Sequence, residues 1–225
     1  MEVHMTKKFV AVAGNIGVGK STLVTQLSER LEWQPFYEPE AENPYLEDFY
    51  TDMDAWAFHS QVFFLTHRLR SHRELLEFPA SVVQDRSVYE DAEIFAKNLY
   101  LHGHINERDY GTYRKLFDLF ITLLPPPDLV VYLRASVETL QARIELRGRD
   151  IESGITGKYL SQLNDLYEDW IKAFSHSPIL IIPADEVDFV AYTGHLDLIV
   201  EKVEDKLRGK EEVVFAPEDI EQYLF

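Results

Sequence analysis

The chain of 225 residues contains no cysteine. Disulfides, thiolate metal sites and cysteine nucleophiles are therefore excluded at the outset. Basic residues are scarce: 22 Lys and Arg stand against 39 Asp and Glu, a formal net charge of -17. A surface of that sign repels polyanions, so neither a nucleic acid nor an anionic membrane is an expected partner. No apolar run reaches the roughly 18 residues that a membrane span needs. The opening MEVHMTKKFVAVAG has no basic segment leading into a long apolar stretch, so no signal peptide is expected and a cytoplasmic location is. Internal repeats and Gly/Ser linkers are also missing, while 46% hydrophobic residues suffice for one sizeable core.

Against this acidic background the stretch QARIELRGRD (141–150) gathers Arg143, Arg147 and Arg149 within seven residues. Any anion bound here must be small and met where cations are locally concentrated. Short apolar runs FVAVA (9–13), SVVQD (81–85), DLVVYL (128–133) and ILII (179–182) predict buried strands, and PFYE (35–38) a further short one. Between them the periodicity predicts helices over 54–77, 91–124, 137–147 and 157–174, and KSTLVTQLSERL repeats Leu23, Leu27 and Leu31 at helical spacing. LLPPPDL ends the second of these helices, since proline disfavours helix in the residue before it. Strands alternating with helices predict an α/β fold, a parallel sheet with helices on both faces. The acidic end GKEEVVFAPEDIEQYLF (209–225) is compatible with a packed extension and with a loose tail.

GNIGVGKST (14–22) fits G-x4-G-K-[ST] and lies between a predicted strand and a predicted helix. In such a loop Gly14, Asn15, Ile16, Gly17, Val18 and Gly19 bring backbone N–H groups onto phosphate oxygens. Lys20 neutralises the terminal phosphates, Ser21 offers its hydroxyl to magnesium, and Thr22 follows into the helix. The motif predicts nucleotide binding and leaves the phosphate acceptor open. A GTPase switch would carry N-K-x-D, which is absent. A motor ATPase would end a strand on a metal-holding acid, and Asp85 in SVVQDRS is followed at once by Arg86 and Ser87.

Four further stretches extend the pattern: YEPE with Glu38, HSQVFFLTHR with Gln61 and Arg68, DRSVYEDAEIF with Asp85, Arg86 and Asp91, and RIELRGRDIE. In order and spacing they resemble the deoxyribonucleoside kinase family over roughly residues 9–207. The similarity to its bacterial deoxyadenosine/deoxyguanosine members is strongest in NPYLEDFY, QDRSVYEDAEIFA and PPPDLVVYLRAS. The resemblance implies a P-loop kinase fold: a five-stranded parallel sheet flanked by helices, with an arginine-rich lid at about 147–157. It implies one kinase domain over 1–208 before the acidic extension 209–225. It also implies ATP as donor, Mg2+, a deoxynucleoside substrate and a homodimer.

Residue roles follow from the same likeness. Phosphorylating a primary hydroxyl needs a proton acceptor near the attacking oxygen, and the resemblance makes Glu38 that base, with Arg86 beside it and the transferring phosphoryl. Asp85 becomes the magnesium partner of Ser21, although a bare Asp85–Arg86 ion pair at a strand end would also account for the residues. Gln61, with donor and acceptor on one planar amide, is implied to read the base together with Arg68 and Asp91, and Phe95 to stack on it. Ser60 departs from relatives that carry an aromatic residue there. Tyr50 and Glu152 are implied to contact the sugar 3′-hydroxyl; without the family, Tyr50 would be assigned to half-buried core. Arg143, Arg147 and Arg149 form the lid, with Gly148, Gly154 and Gly157 as its flexible points. Asp188 and Phe189, in PADEVDF, lie against the donor adenine. Phe58, Phe63 and Phe64 are expected in the core. Two other readings compete: a thymidylate-like nucleoside monophosphate kinase, with Arg68 or Arg73 holding the acceptor phosphate, and a nucleotide-binding subunit without chemistry.

Overall fold

The computed structural model describes residues 7–37, 43–149, 152, 154–211 and 213–223. The small and β-branched run Phe9–Gly14 forms β1, every residue of it buried. Among the described residues it is the middle of a five-stranded sheet ordered β2-β3-β1-β4-β5. Its neighbours are β3 (Val82–Asp85) and β4 (Leu129–Arg134); β2 (Gln34–Phe36) and β5 (Ile179–Pro183) form the edges, and every pairing is parallel. The register sets Val12 beside Asp85 and Gly14 beside Leu133. The chain thus leaves β1 into the glycine-rich loop and β3 into Asp85–Arg86 on one carboxyl edge, where ligands bind in parallel sheets.

Alternation along the strands feeds two apolar layers. On one face Val10, Val12, Val131 and Ile182 pack with α1 (Lys20–Leu31) and α9 (Thr193–Leu207). On the other, Ala13, Val130 and Tyr132 pack with Tyr113 and Phe117 of α6 (Glu107–Ile121) and with Leu163 and Trp170 of α8 (Gly157–Ala173). Helix α3 (Met53–Glu77) begins one residue before the expected start, its N-cap Asp52 accepting from Ala55 N–H, and α7 (Val137–Arg147) has the expected bounds. Among the described residues no helix is long and apolar enough to cross a membrane.

Two expectations need correction, and one left open is decided. The single helix over 91–124 is interrupted: a π-helical turn Asp91–Ala96 runs on from α4 (Val88–Glu90) and into α5 (Lys97–Leu101), and α6 starts only after a turn. That turn contains Gly103 at φ 83 and the N-cap Asn106, whose side chain accepts from Asp109 N–H. The apolar periodicity runs through this break, so spacing alone does not register it. Helices α2 (Leu46–Thr51) and α9 were not expected, though α9 buries Leu198, Ile199 and Val203 in regular fashion. The C-terminal residues 213–223 are a packed extension: α10 (Pro217–Gln222) buries Ile220, and Val213, Phe215 and Tyr223 pack beside it on the main core.

Candidate active site

At the end of β1 the backbone turns in ways that only glycine tolerates. A Cβ on Gly14 would stand 2.8 Å from the Leu133 carbonyl oxygen, and one on Gly17 (φ 82) would meet Ile144 Cγ1 at 2.6 Å. Lys20 then opens α1, buried, its Nζ donating to the Asn15 carbonyl at 3.1 Å. Around this loop lies a cavity lined by Ile16, Gly17, Gly19, Lys20, Ser21, Thr22, Asp85, Arg86, Arg147 and Arg149. Ser21 Oγ donates to Asp85 Oδ2 at 2.5 Å, while Asp85 Oδ1 is buried with no hydrogen-bond partner. A hydroxyl and a spare carboxylate oxygen form the hard-oxygen donor set that magnesium takes. Among the described residues no group of three His, Cys, Asp or Glu side chains could hold a metal.

A second cavity adjoins the first. It is lined by Ile16, Leu46, Phe49, Tyr50, Gln61, Phe64, Arg86, Asp91, Phe95, Glu152 and Tyr159. Ile16 and Arg86 line both cavities. Arg86 adopts φ 63, a left-handed conformation uncommon outside glycine, at the first residue after β3. Its N–H donates to Val12 O at 3.0 Å and its guanidinium carbon stands 4.2 Å from the Phe95 ring centre. Phe95 thus stacks on the arginine as well as facing the cavity.

Buried Arg68 stands behind this turn. Its Nη1 donates to the carbonyls of Asp85 (3.0 Å) and Arg86 (3.1 Å), and its fork reaches Asp91 at 3.0 and 3.4 Å. Arg68 therefore fixes three cavity residues at once, Asp85, Arg86 and Asp91, and of the Arg68–Asp91 pair it is Asp91 that lines the second cavity. Gln61 is 5% exposed, and its Oε1 is buried without a hydrogen-bond partner. An amide oxygen left so costs about 1–3 kcal/mol, a penalty that a ligand donor would remove.

The arginine cluster divides by task. Arg147 and Arg149 line the phosphate cavity, and both pair with buried Glu152: Arg147 Nε at 3.1 Å, with Nη2 also bonded, and Arg149 Nη1 at 3.7 Å. Arg143 departs from the expected roof. It donates to Val18 O and Ala184 O, each at 2.8 Å, and so ties the phosphate loop to the loop after β5. It shares a helix face with Arg147 but stands one turn earlier along α7, beside the backbone of the loop. Residues 150, 151 and 153 of the expected lid lie outside the described residues.

Glu38, the expected base, also lies outside the described residues. Tyr50 and Glu152 line the same cavity, as do Asp91 and Phe95. Ser60 is buried, and its Oγ accepts from Asn43 Nδ2 at 3.0 Å, which fixes the entry into α2. Phe64 corrects a core expectation, since it lines the cavity; Phe58 packs on the core and Phe63 stacks on His67 at 4.4 Å. The Asp188 carboxylate accepts from Val190 and Ala191 N–H within its own loop, and the buried Phe189 ring reaches 3.4 Å from where a Gly19 Cβ would stand.

Two residues escaped the sequence reading. Glu90 is fully buried behind the turns that follow β1 and β3: Oε1 accepts from Gly14 N–H (3.1 Å), Oε2 from Ser87 N–H (2.9 Å), and the Tyr167 hydroxyl lies 2.9 Å from Oε1. Burial pushes its carboxyl above the usual range, against the pull of Arg86 and Lys20. Ser87 and Glu90 form a capping box, the one local signal that could have marked it. Tyr159 lines the second cavity, its hydroxyl pushed up by burial and by Tyr50 nearby. It follows the N-cap Thr156 on amphipathic α8, where nothing in the pattern separates it from a core aromatic.

The geometry is a phosphate cradle joined to an aromatic cleft at Ile16 and Arg86. The model of the deoxynucleoside kinase family matches residues 10–208. The chain is 37% identical over 205 residues to the deoxyadenosine/deoxycytidine kinase of Bacillus subtilis (strain 168), across 90% of this chain and 94% of that protein. To the deoxyguanosine kinase of the same strain it is 34% identical over 208 residues, across 89% and 98%. The solved structure of deoxyadenosine kinase from M. mycoides with bound dATP superposes with a TM-score of 0.75 at 31% identity, over 88% of this chain and 99% of that one. Sheet order, glycine-rich cradle and near full-length similarity converge, and the chain belongs to the deoxynucleoside kinase family.

Proposed function

We propose that this enzyme transfers the terminal phosphoryl group of ATP to the 5′-hydroxyl of a purine deoxynucleoside in deoxynucleotide salvage, deoxyadenosine first and deoxyguanosine second. The observation that carries the reading is the sharing of Arg86 and Ile16 by the two cavities. A triphosphate over the glycine loop and a nucleoside beside Gln61 would then meet at the Arg86 guanidinium. The 5′-oxygen attacks the terminal phosphorus, the bond to the bridging oxygen breaks, and the hydroxyl proton passes to Glu38.

Charge that develops on the transferring group falls among Lys20, Arg86, Arg147 and Arg149, which line that cavity together. Ser21 and Asp85 would hold Mg2+, which when bound neutralises phosphate oxygens. Phe95 and Phe64 offer faces to the base, and the Gln61 amide meets its edge, with Asp91 held by Arg68 on the same wall. The Gln61 Oε1 without a partner suits a base with an exocyclic amine, which adenine, guanine and cytosine carry and thymine lacks, and the rings of Phe64 and Phe95 in the lining suit stacking on a purine. Named relatives accord with this: one is a deoxyadenosine/deoxycytidine kinase, another a deoxyadenosine kinase from Dictyostelium discoideum. The monophosphate-kinase reading is weaker, because Arg68 is engaged with Asp91 and two carbonyls, and Arg73 is exposed and pairs with Glu77 at 3.7 Å.

The test is an assay of ATP-dependent phosphorylation of the four deoxynucleosides and of dAMP. The expected order of kcat/KM sets deoxyadenosine first. Turnover of none of the four, or faster turnover of dAMP than of deoxyadenosine, rejects the reading. Glu38→Gln is expected to lower kcat by about 10²–10⁴-fold, the range for loss of a general base; a loss of only a few-fold removes Glu38 from that role.

A further inference from the structure

Helix α10 lies beyond the family-matched residues, yet it connects to the rim of the phosphate cradle through a single buried side chain. His195, in the first turn of α9, has no exposed surface. Its Nδ1 accepts the Asp188 backbone N–H at 2.9 Å, which puts the ring proton on Nε2. Nε2 then donates to the Ile220 carbonyl of α10 at 3.1 Å. The imidazole is thus a two-ended link between the loop after β5 and α10, and the partners at its two ends fix its tautomer.

Both sides of the link are anchored. On the loop side, Asp188 closes a turn onto Val190 and Ala191, the Phe189 ring lies against Gly19, and Arg143 ties Ala184 O to Val18 O. On the other side, Ile220 is buried in the main core, Asp219 pairs with Lys202 at 3.1 Å, and Tyr223 donates to Glu201 at 3.3 Å. With Phe189 over Gly19, displacement of this loop changes the mouth of the nucleotide cradle.

We propose that α10 is a positioning element for the donor nucleotide and that His195 is the positioning residue through which it acts. The chain from Ile220 O through the imidazole to the Asp188 amide holds the Asp188–Phe189 backbone where the donor base docks. The proposal rests on the reading of that loop as the donor-base contact.

Two variants of the full-length chain divide the link. His195→Asn keeps an acceptor near Nδ1 and loses the donor to Ile220; His195→Gln keeps a donor near Nε2 and loses the acceptor for Asp188. In both, the ratio of the KM for ATP to the KM for deoxyadenosine is expected to rise about 2- to 10-fold, the scale of one neutral hydrogen bond. A fall in Tm with that ratio unmoved would make His195 a core filler and overturn the proposal. Phe189→Leu separates the two layers of inference. If it leaves the KM for ATP unmoved, the loop does not meet the donor and both readings fall; if it raises that KM while the His195 variants do not, only the link falls. Hydrogen exchange on the unaltered chain gives a readout that needs no variant. ADP is expected to slow amide exchange over 184–189 and 217–223 together, and protection confined to the loop overturns the link.

Discussion

At the scale of single residues, the cleft is marked by polar atoms that folding leaves unserved. Gln61 carries a buried Oε1 with no partner, and Asp85 a buried Oδ1 in the same condition. Seven other buried side-chain atoms among the described residues share this condition, both of the Gln84 amide among them, so what points to ligands is that Gln61 and Asp85 also line the two cavities. Gln61→Leu separates stability from function: Tm is expected not to fall, because the orphaned amide oxygen is removed. The KM for the nucleoside is expected to rise about 10- to 100-fold, since a partner lost by a buried base edge is worth about 1–3 kcal/mol. Thermal melts and steady-state kinetics on one preparation decide it, and a lower Tm with an unchanged KM would make Gln61 structural. The residues legible in the chain at this scale were those whose chemistry needs only near neighbours: Gly14, Lys20 and Ser21 in one loop, Asp85–Arg86 at one strand end. Glu90 was hidden among 39 acidic residues, because what distinguishes it is burial against Gly14 and Tyr167, which are 76 and 77 positions away.

Among elements, α3 does more than its periodicity suggests. One helix carries Gln61 into the cleft, Arg68 behind it and His72 toward the opposite end of the sheet. His72 is buried, edge-on to Phe9 at 5.2 Å, with Nε2 3.0 Å from the Pro125 carbonyl. Burial lowers its pKa from the usual 6.5, and the hydrogen bond to Pro125 opposes this only in part. The sign follows from linkage. Above 6.5 the residue is neutral whether folded or unfolded; below it the unfolded chain takes up a proton that the folded chain resists, so stability is lost as pH falls through that window. Denaturant midpoints measured downward from about pH 7 are expected to fall, and less so in His72→Gln; parallel curves would exclude His72 as a source. The interrupted helix over 91–121 belongs to this scale too. The π-helical turn directs both Asp91 and Phe95 at the cleft, a change of pitch that apolar spacing does not encode.

For the molecule as a whole, the net charge of -17 and the phosphate cavity are opposites. Four cations, Lys20, Arg86, Arg147 and Arg149, line one cavity in a chain with only 22 in all, so 18 remain elsewhere against 39 acidic residues. Exposed pairs such as Arg134–Glu168 at 2.7 Å are worth less than about 1 kcal/mol each and do not offset the general repulsion. Raising salt from about 0.01 to about 0.15 M shortens the Debye length from about 30 to about 8 Å. Tm is therefore expected to rise over that range, and a fall on calorimetry would mean that local ion pairs outweigh the repulsion.

Local rules sufficed for the nucleotide cradle, the central strands, the bounds of α7 and the gathering of arginines, because each depends on backbone conformation or on residues within a few positions. Long-range packing decided the rest. The pairing of β1 with β3 set Arg86 beside the glycine loop, the placement of α7 along that loop gave Arg143 the Val18 carbonyl and Arg147 the Glu152 carboxylate, and the docking of α10 brought Ile220 to His195. A side chain's direction is settled by register and helix rotation, which minimise the exposed apolar surface of the entire core; no short window of residues contains that information.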